Sequence, residues 1–486
     1  MKKHLLTLAF IVSTVFSFGQ SYPGIIESKH KADLTMHPAV RLRSEEISRN
    51  KETVPLNRSA LVPTSAVFGY LPYWEYPETL NYLQYDLLSH IAVFDFHLYP
   101  NGDIDFPSAW PWVDLINESH QNGVRVIATV VNFSSDEIHT ILTDQVVKDN
   151  FFSNILNILV NDNLDGVNID FEGLYTADRG ELLNDFMFEL SNYLHASNSD
   201  YEVSFAGPAV NWGGWDFAGL AASCDYIFIM GYNFYGGWST VSGACAPLTG
   251  GSINITNTVL TQYAEVTNTT PEKLILGVPY YGNRWKTATP SAYSTVIEHL
   301  GQPTYTSAMN KAEQDSLLWD SYSETSWSLF DSDRYYEQTW FDTDTSLGLK
   351  YDLADNNSLK GVGMWALGYD NERSELWDEL RRRYDPLSVE ETFLTDFAKI
   401  TLFPNPFSKS TTLEIELKTK STVTLKVYDI QGRLIPSITT EKNLSKGIAK
   451  FAIDLSRQNN GLYFCQIWLT TNGKQYFLNK KIVKNL

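Results

Sequence analysis

The sequence predicts an α/β protein: a (β/α)8 TIM barrel with a small insertion between strands seven and eight, followed by an all-β sandwich domain. Eight short apolar runs alternate with helix-like stretches between residues 66 and 369. Strands that are apolar on both faces and alternate with helices are typical of a parallel sheet covered on both sides. Eight such units indicate a closed barrel, with an open doubly wound sheet as the structural alternative. Apolar and polar residues then alternate after residue 397, which predicts the sandwich.

Length and charge limit the class of protein. With 486 residues, of which 43% are hydrophobic, the chain has room for two or three domains. Its formal net charge of −20 argues against nucleic acid or an anionic membrane as a partner, because phosphate binding requires clustered Lys and Arg. We therefore expect a partner that is neither.

The first 20 residues are typical of a signal peptide. Lys2 and Lys3 precede an apolar run over residues 5–18, and small residues follow. Residues 21–63 are polar and mixed in charge, so we expect a leader with little structure of its own. No other run approaches the ~18 apolar residues that a membrane-spanning helix needs, so we expect a soluble, exported protein.

The barrel is expected over residues 64–385. Residues 181–195 carry Leu, Phe and Met at three- and four-residue spacings and predict a helix. The gap between the last two strands exceeds one crossover helix, which residues 345–359 supply, so residues 286–342 are predicted to be an inserted subdomain or lid. The eight strand-like runs are 66–74, 87–96, 123–133, 164–172, 201–210, 224–232, 273–282 and 359–369.

After the barrel, residues 386–396 predict a linker and residues 397–486 a small antiparallel β-sandwich. Turn signals such as Asn460–Gly461 separate its alternating segments. The three cysteines cannot form a disulfide framework. Cys224 and Cys245 could pair across one loop or remain reduced, and Cys465 is expected in the core.

The fourth run, LDGVNIDFE over residues 164–172, is the strongest candidate site. Because side chains alternate along a strand, Asn168, Asp170 and Glu172 share one face. A buried unpaired carboxylate is very costly, so that face must look into a cleft or barrel mouth. A calcium loop over residues 161–172 is the alternative reading, although its first ligand would be Asn rather than Asp.

This run resembles the D-G-x-D-x-D-x-E signature of glycoside hydrolase family 18, the chitinase family. Asp165, Gly166, Asp170 and Glu172 match, and Asn168 stands where the family usually has Asp. The resemblance covers residues 66–384 and implies a TIM barrel that cleaves β-N-acetylglucosaminide linkages. An Asn at this position resembles the branch of the family that acts on bacterial cell-wall glycans.

The resemblance also implies roles for these residues. Glu172 would protonate the glycosidic oxygen, and Asp170 would orient the substrate's 2-acetamido group, whose oxygen is the family's nucleophile. The nearby charge of Asp170 would raise the pKa of Glu172. Gly166 would permit close packing at the base of the strand, and Asp165 would support it.

Further site residues follow from motifs at other strand ends. The IMGYN segment resembles the M-x-Y-D motif, in which Tyr232 would donate to the acetamido carbonyl and Asn233 replaces an Asp. GVGMWALGYDN resembles the end of the family's barrel, where Trp365 would form the floor under the reacting sugar. The remaining candidates to contact sugar are aromatic or basic residues at strand ends: Trp74, Tyr280, Tyr281 and Arg284.

The C-terminal segment resembles the sorting domain of the type IX (Por) secretion system. FPNPF at 403–407, YDIQGRLI at 428–435, NNGLYFCQI at 459–467 and the terminal KKIVKNL carry the resemblance in order. It implies delivery across the outer membrane by the type IX secretion machinery, to the medium or the cell surface. An accessory carbohydrate-binding sandwich is the alternative.

The sequence therefore predicts a secreted glycosidase acting on chitin or chito-oligosaccharides with retention at the anomeric carbon. Peptidoglycan or glycoprotein N-glycans are alternatives within the same class. A chitin-binding lectin without turnover is an alternative from another class, and a calcium-dependent adhesion protein is a third. No metal or organic cofactor is implied, because His and Cys ligands do not cluster in the sequence.

Overall fold

The computed structural model describes residues 28–38, 41–42, 52–60, 62–332, 334–385, 398–429, 433–435, 440–471 and 474–485. The chain divides into two compact units, of which the first contains the barrel and the second contains the C-terminal sheets. The predicted signal peptide and the predicted linker lie outside the described residues. Within the described parts of the chain, no helix combines the length and apolarity needed to span a membrane.

The predicted parallel barrel is confirmed. Its eight strands pair in parallel in chain order, and the first strand pairs with both the second and the last, which closes the sheet. The short strand β3 (Ile104–Asp105) adds an antiparallel edge to the second strand. The barrel strands are β1 (Ala66–Pro72), β2 (His90–Leu98), β4 (Arg125–Asn132), β5 (Gly166–Phe171), β6 (Glu202–Pro208), β7 (Tyr226–Met230), β8 (Leu274–Pro279) and β14 (Gly361–Trp365).

The helices that alternate with the barrel strands cover the outside of the barrel because their apolar residues repeat at helical spacing. In the helix predicted over residues 181–195, Leu183, Phe186, Met187 and Leu190 are buried. The helices are α1 (Lys29–Met36), α2 (Val113–Gln121), α3 (Ser135–Thr143), α4 (Gln145–Asp162), α5 (Glu181–Ser197), α6 (Phe217–Ser223), α7 (Ile255–Asn257), α8 (Ala264–Thr269), α9 (Tyr305–Ala312), α10 (Asp344–Asn356) and α11 (Glu375–Tyr384).

The predicted insertion is a five-stranded antiparallel sheet between the seventh and eighth barrel strands. It begins at Asn283 rather than at 286, because the chain enters the sheet soon after β8. The crossover helix expected after it is α10. The strands of the insertion are β9 (Asn283–Thr287), β10 (Val296–Gly301), β11 (Ser316–Asp320), β12 (Thr325–Asp331) and β13 (Tyr336–Phe341), in the order β10-β9-β13-β12-β11.

The leader departs from expectation. We expected little structure in residues 21–63, and this is wrong for α1, which forms with Ser28 as its N-cap. Its hydrophobicity is low, so the apolar periodicity that identifies most helices is absent. Further along, Leu42 forms a bridge with Phe106. The contacts of α1 are with the polar mouth of the barrel and are described below.

The second unit contains the predicted antiparallel sandwich. A three-stranded sheet consists of β15 (Ala398–Phe403), β16 (Ser410–Leu417) and β19 (Gly447–Asp454). A four-stranded sheet consists of β17 (Ser421–Asp429), β18 (Thr440–Leu444), β20 (Gly461–Thr471) and β21 (Lys474–Lys484). Apolar residues of both sheets share one core, as the strict alternation along each strand requires.

The cysteines are all reduced and buried. Of the two alternatives for Cys224 and Cys245, the structure therefore shows the unpaired one. Burial raises the pKa of the Cys224 thiol to about 12 and that of Cys245 to about 11. These thiols are packing residues rather than nucleophiles.

Candidate active site

The fourth barrel strand, β5, presents its polar face inside the barrel. Asn168 and Asp170 are completely buried, and Glu172 follows the strand with its side chain 16% exposed. Asn168 accepts a hydrogen bond from the Tyr70 hydroxyl at 2.8 Å and donates to the Ser204 hydroxyl at 2.9 Å. The amide that replaces the family's usual Asp is thus satisfied by neighbouring strands, without a direct bond to Asp170.

The base of β5 is built for packing. Asp165 accepts hydrogen bonds from the Val126 backbone at 2.8 Å and pairs with His120 at 3.0 Å. A Cβ at Gly166 would lie 2.1 Å from the Glu202 carbonyl oxygen, so only glycine fits there. The calcium-loop alternative is wrong, because the six-residue strand separates Asp165 from Glu172 by roughly 20 Å. A calcium loop would bring those carboxylates onto one ion.

Helix α1 of the leader lies in the mouth of the barrel and contacts the predicted catalytic residues. The His30 Nδ1 atom lies 2.6 Å from Asp170 Oδ2, and its Nε2 atom lies 2.8 Å from the Tyr232 hydroxyl. The imidazole stacks on Trp365 with 3.7 Å between ring centroids and an interplanar angle of 26°. Three residues from the fourth, sixth and eighth strands therefore surround one five-membered ring.

The charge of this cluster is set by burial and by Asp170. Burial lowers the pKa of His30, but the Asp170 carboxylate more than compensates, so the pKa is raised above its usual value. Burial together with the charge of Asp170 raises the pKa of Glu172 to about 7. Glu172 also accepts a hydrogen bond from the Ser28 hydroxyl at 2.6 Å. Burial raises the pKa of Tyr232 well above its usual value, so its hydroxyl stays protonated.

Asp33 of the same helix fastens it to the eighth strand. Its carboxylate accepts hydrogen bonds from Trp365 Nε1 at 2.9 Å and from the Tyr369 hydroxyl at 3.0 Å. Lys29 pairs with the other oxygen of Asp33 at 2.6 Å and lies 4.3 Å over the ring of Tyr281. Lys29 and Asp33 are both buried, which is tolerable only because each is paired.

The chain after α1 continues across the barrel mouth. His37 stacks on Trp74 with 4.7 Å between ring centroids and an interplanar angle of 9°. The Tyr73 hydroxyl donates to the His37 carbonyl. Arg41 then pairs at 2.7 Å with Asp95, a buried carboxylate on the second strand. Burial raises the pKa of Asp95, and the Arg41 ion pair opposes that rise.

The predicted sugar-contacting residues divide into two groups. Trp365, Trp74 and Tyr281 lie against the leader in the barrel mouth. Tyr280 instead lies against Tyr351 of α10, on the side away from the leader. The expectation that both tyrosines line the cleft is therefore wrong for Tyr280.

Two other candidates lie in different places. Asn233 has a left-handed backbone, with φ 65°, and its side-chain oxygen accepts a hydrogen bond from Gln302 at 3.1 Å. Arg284 lies on β9 of the insertion, opposite Gly301 and Thr339. Within the part of the chain that the structure describes, Asn233 lines the cavity beside Glu172 and Arg284 does not.

A cavity of about 580 Å³ opens beside Glu172, on the side that α1 leaves free. Exposed aromatic residues, Tyr175 and Trp212, lie on its wall together with Trp215. Aromatic faces and polar edges suit a sugar chain. Glu172 thus lies between an occupied half of the barrel mouth and an open half.

One group of possible metal ligands lies at this site among the described residues. The donor atoms of His30, Asp170 and Glu172 lie within 4.8 Å of one another. Both nitrogens of His30 are already hydrogen bonded, to Asp170 and to Tyr232. A ring nitrogen that holds or accepts a proton has no lone pair to offer an ion. The group is therefore explained by hydrogen bonds.

Comparison with known families agrees with the site. The family model "Glycosyl hydrolases family 18" matches residues 66–370. The chain belongs to this family and is a glycosidase. The model "Secretion system C-terminal sorting domain" matches residues 401–485, so the chain is exported by type IX secretion to the extracellular space or the outer-membrane surface.

Individual relatives are distant. The chain is 28% identical to YdhD of Bacillus subtilis, named as a candidate sporulation-specific glycosylase, over 57% of this chain and 66% of that protein. It is 23% identical to human di-N-acetylchitobiase, over 55% of this chain and 75% of that protein. The structure of a Cycas revoluta family 18 chitinase in complex with (GlcNAc)3 superposes with a TM-score of 0.58 and 17% identity, over 65% of this chain and 98% of that one.

Sequence reasoning missed the leader residues at the site. His30, Ser28 and Asp33 were placed in a segment without expected structure. The signal that could have found Asp95 is its position in the second strand, where a carboxylate interrupts an otherwise apolar run. For α1 the hydropathy pattern gives no comparable signal, because its buried residues are polar.

Proposed function

We propose that the chain hydrolyses β-N-acetylglucosaminide linkages by substrate-assisted, retaining catalysis, with chitin or chito-oligosaccharides as its first substrates. One observation carries the proposal: Asp170, Tyr232 and Trp365 converge on a single ring-sized position with Glu172 at its edge. A distant human relative is named di-N-acetylchitobiase, which supports this substrate class.

The proposed roles follow from charge and geometry. With a pKa of about 7, Glu172 is substantially protonated at neutral pH and can donate its proton to the glycosidic oxygen. Asp170 accepts the acetamido N–H of the sugar in the reacting position, and Tyr232 donates to the acetamido carbonyl. The acetamido oxygen then attacks the anomeric carbon as the leaving sugar departs.

In the second step, water hydrolyses the intermediate with Glu172 as the general base. Glu172, now a carboxylate, takes a proton from the water that opens the oxazolinium intermediate. Asp170 stabilises the positive charge of that intermediate, and Trp365 forms the apolar floor beneath the ring. Two displacements at one carbon restore its original configuration.

Peptidoglycan is the second candidate substrate, because it also contains N-acetylglucosamine. Asn168, at the fourth position of the D-G-x-D-x-D-x-E signature, and the bacterial relative named for sporulation favour it. N-glycans share the same sugar, but no residue of the described cleft favours them. A lectin without turnover is disfavoured because Glu172 is present beside Asp170, with its pKa raised to about 7.

The test compares hydrolysis of chitin hexamer and of purified peptidoglycan. Mass spectrometry identifies the products, and NMR identifies which anomer of the product forms first. It is run on the wild-type chain and on a full chain carrying His30→Ala. In either chain, Glu172→Gln is expected to lower kcat about 10²–10⁴-fold, because the proton donor is lost.

Glu137→Gln is the matched control. Glu137 is a part-buried carboxylate that accepts a hydrogen bond from Asn132 at 2.8 Å, which a glutamine oxygen can also accept. Unchanged turnover in the control and loss in Glu172→Gln support the proposal. Inverted products, or full activity in Glu172→Gln, would overturn it.

A further inference from the structure

We propose that residues 28–37 are a built-in inhibitor that occupies the site of the reacting sugar by imitating it, so that the chain is made in a latent form. The inference rests on the proposed function, which defines that site. It differs from it by concerning the leader rather than the barrel. This one segment contacts six of the candidate residues: Glu172, Asp170, Tyr232, Trp365, Tyr281 and Trp74.

In its neutral form the imidazole of His30 has the hydrogen-bonding pattern of an acetamido group, and in its protonated form it keeps the donor to Asp170 and adds an ion pair. An amide places a donor N–H and an acceptor oxygen on either side of one carbon atom, and imidazole places its two nitrogens in the same way. His30 Nδ1 lies 2.6 Å from Asp170, and Nε2 lies 2.8 Å from Tyr232. These are the partners that the mechanism requires for the acetamido N–H and carbonyl.

The same ring also imitates the sugar by stacking. Its 3.7 Å centroid distance to Trp365 is close enough to exclude any other ring from that face. His30 is completely buried, so sugar and imidazole cannot occupy the position together. Competition between them is therefore direct.

Ser28 occupies the place of the scissile oxygen. Its hydroxyl donates to Glu172 Oε1 at 2.6 Å, so the acid's carboxyl is engaged by the leader. In a bound substrate the glycosidic oxygen would lie within the same reach of Glu172. The leader thus engages the proton donor as well as the groups that hold the acetamide.

Contacts farther along hold the segment in register. Asp33 bonds the indole of Trp365 and the hydroxyl of Tyr369, while Lys29 lies over Tyr281. His37 stacks on Trp74, parallel to within 9°. Proteins bind sugars through stacked aromatic rings and hydrogen bonds. Here the leader and the barrel of one chain make contacts of both kinds.

The helix depends on these contacts for its own stability. An isolated helix of eight residues is far below the ~12–15 residues at which helices become marginally stable in water. The covalent link to the barrel keeps its local concentration high, at about the millimolar level for a flexible tether. Cutting the chain after the helix would make its dissociation permanent at dilution.

Only one half of the barrel mouth is covered. The cavity of about 580 Å³ beyond Ser28 stays open, with Tyr175 and Trp212 exposed on it. A polysaccharide can therefore reach Glu172 from the open side, but its reacting ring must displace His30. If the helix is docked 99% of the time, kcat/KM falls about 100-fold, since only the free fraction reacts.

The first experiment compares three full chains: wild type, His30→Ala and Thr35→Ala. Thr35 is on the exposed face of α1, and among the described residues its side chain bonds only the Lys31 carbonyl. With a fluorogenic chitobioside as substrate, His30→Ala is expected to raise kcat/KM at least about tenfold. Thr35→Ala should match wild type. Measurable hydrolysis at the same rate in all three chains would overturn the inference.

The second experiment removes the leader and then adds it back as a synthetic peptide. A specific protease site replaces residues 44–50 of the full chain, which is cut after folding and freed of the leader by gel filtration. A synthetic peptide of residues 27–38 should bind the cut chain and inhibit it competitively. A peptide carrying His30→Ala should bind at least about tenfold more weakly, because two hydrogen bonds and a stacked ring are lost.

Binding is measured by calorimetry, which needs no turnover, so two failures can be told apart. If peptide binds and chito-oligosaccharide displaces it, but no chain hydrolyses any glycan, the inference stands and the proposed function fails. If all chains hydrolyse chitin at one rate and the peptide does not bind, the function stands and the inference fails. Release of activity by cutting, reversed by peptide, supports both.

Discussion

Two His–Asp pairs lie at opposite ends of β5. One supports the base of the strand, and the other lies at the candidate active site. At the base, His120 of α2 lies 3.0 Å from Asp165, which also accepts the Val126 N–H. At the mouth, His30 lies 2.6 Å from Asp170. In both pairs the carboxylate opposes the effect of burial and raises the pKa of the histidine.

The difference lies in what remains when the histidine is removed. Asp165 still accepts the backbone N–H of Val126 from the neighbouring strand, so the barrel itself supplies a hydrogen-bond partner. Asp170 Oδ1 has no hydrogen-bond partner among the described residues, and its Oδ2 is bound by a segment outside the barrel. A carboxylate that the fold leaves incompletely satisfied is available to a ligand. Residue type and burial alone therefore do not identify an active-site carboxylate. What identifies it is whether its hydrogen-bond partner belongs to the barrel or to a segment outside the barrel.

The largest expected effect comes from replacing each aspartate by asparagine. Asp170→Asn should lower kcat/KM about 10²–10³-fold, because it removes the charge that stabilises the transition state. Its free energy of unfolding should change little. Asp165→Asn should leave kcat nearly unchanged and lower the free energy of unfolding by about 1–3 kcal/mol, since a part-buried carboxylate that bonds His120 and the Val126 N–H is lost. Urea unfolding and steady-state kinetics measure both.

Asp200→Asn is the control for the stability measurement, because Asp200 is exposed and its ion pair with Arg58 lies in solvent. If Asp165→Asn abolished turnover in a folded protein while Asp170→Asn only destabilised it, the assignment of the two ends would be reversed.

A smaller effect is expected on the pH dependence of leader binding. His30 faces Asp170, Glu172 and Asp33, and its pKa is raised in the docked state, where the opposing effect of burial is overcome by Asp170. In the free leader that shift is absent, so His30 holds its proton more tightly when α1 is docked. Docking is therefore stronger at low pH and weakens as pH rises through the raised pKa of His30. Burial and the charge of Asp170, which is present whether or not the leader is docked, raise the pKa of Glu172. The leader residues His30, Ser28 and Lys31 lower that pKa.

The peptide of residues 27–38 should bind the cut chain more weakly at pH 8 than at pH 6, because the additional proton affinity of docked His30 is then lost. Calorimetry at the two pH values measures this. With a peptide that carries His30→Ala, the decrease in affinity that His30 causes between the two pH values should disappear. Tighter binding at pH 8 than at pH 6 would contradict the sign.

The smallest effect is expected from Asn168→Asp, tested in the His30→Ala chain. A second carboxylate beside Asp170 makes it harder for Glu172 to lose its proton, so the alkaline limb of the kcat/KM profile should move to higher pH. Turnover near neutral pH should change only a few-fold. Asn168→Ser adds no charge and should leave that limb in place. A downward shift in the Asp variant would refute the argument.

Much of the barrel could be predicted from the residues alone. Runs such as 164–172 are apolar on one face and polar on the other, and strand alternation places Asp170 and Glu172 together whatever the rest of the fold does. Alternation does not extend to Tyr280 and Tyr281, because β8 ends at Pro279. The motif therefore predicted that both tyrosines line the cleft, whereas only Tyr281 contacts the leader there.

The sequence by itself determined the class of fold, the sorting domain and the strand-end carboxylates, because these depend on local periodicity and contiguous motifs. Only the tertiary structure decided that His30 lies between Asp170 and Tyr232, 140 and 202 residues away. Helix α1 buries polar side chains against a polar cleft, so hydropathy carries no trace of it. Its position is set by complementary hydrogen bonds and stacked rings, which exist only after the barrel has brought its strand ends together.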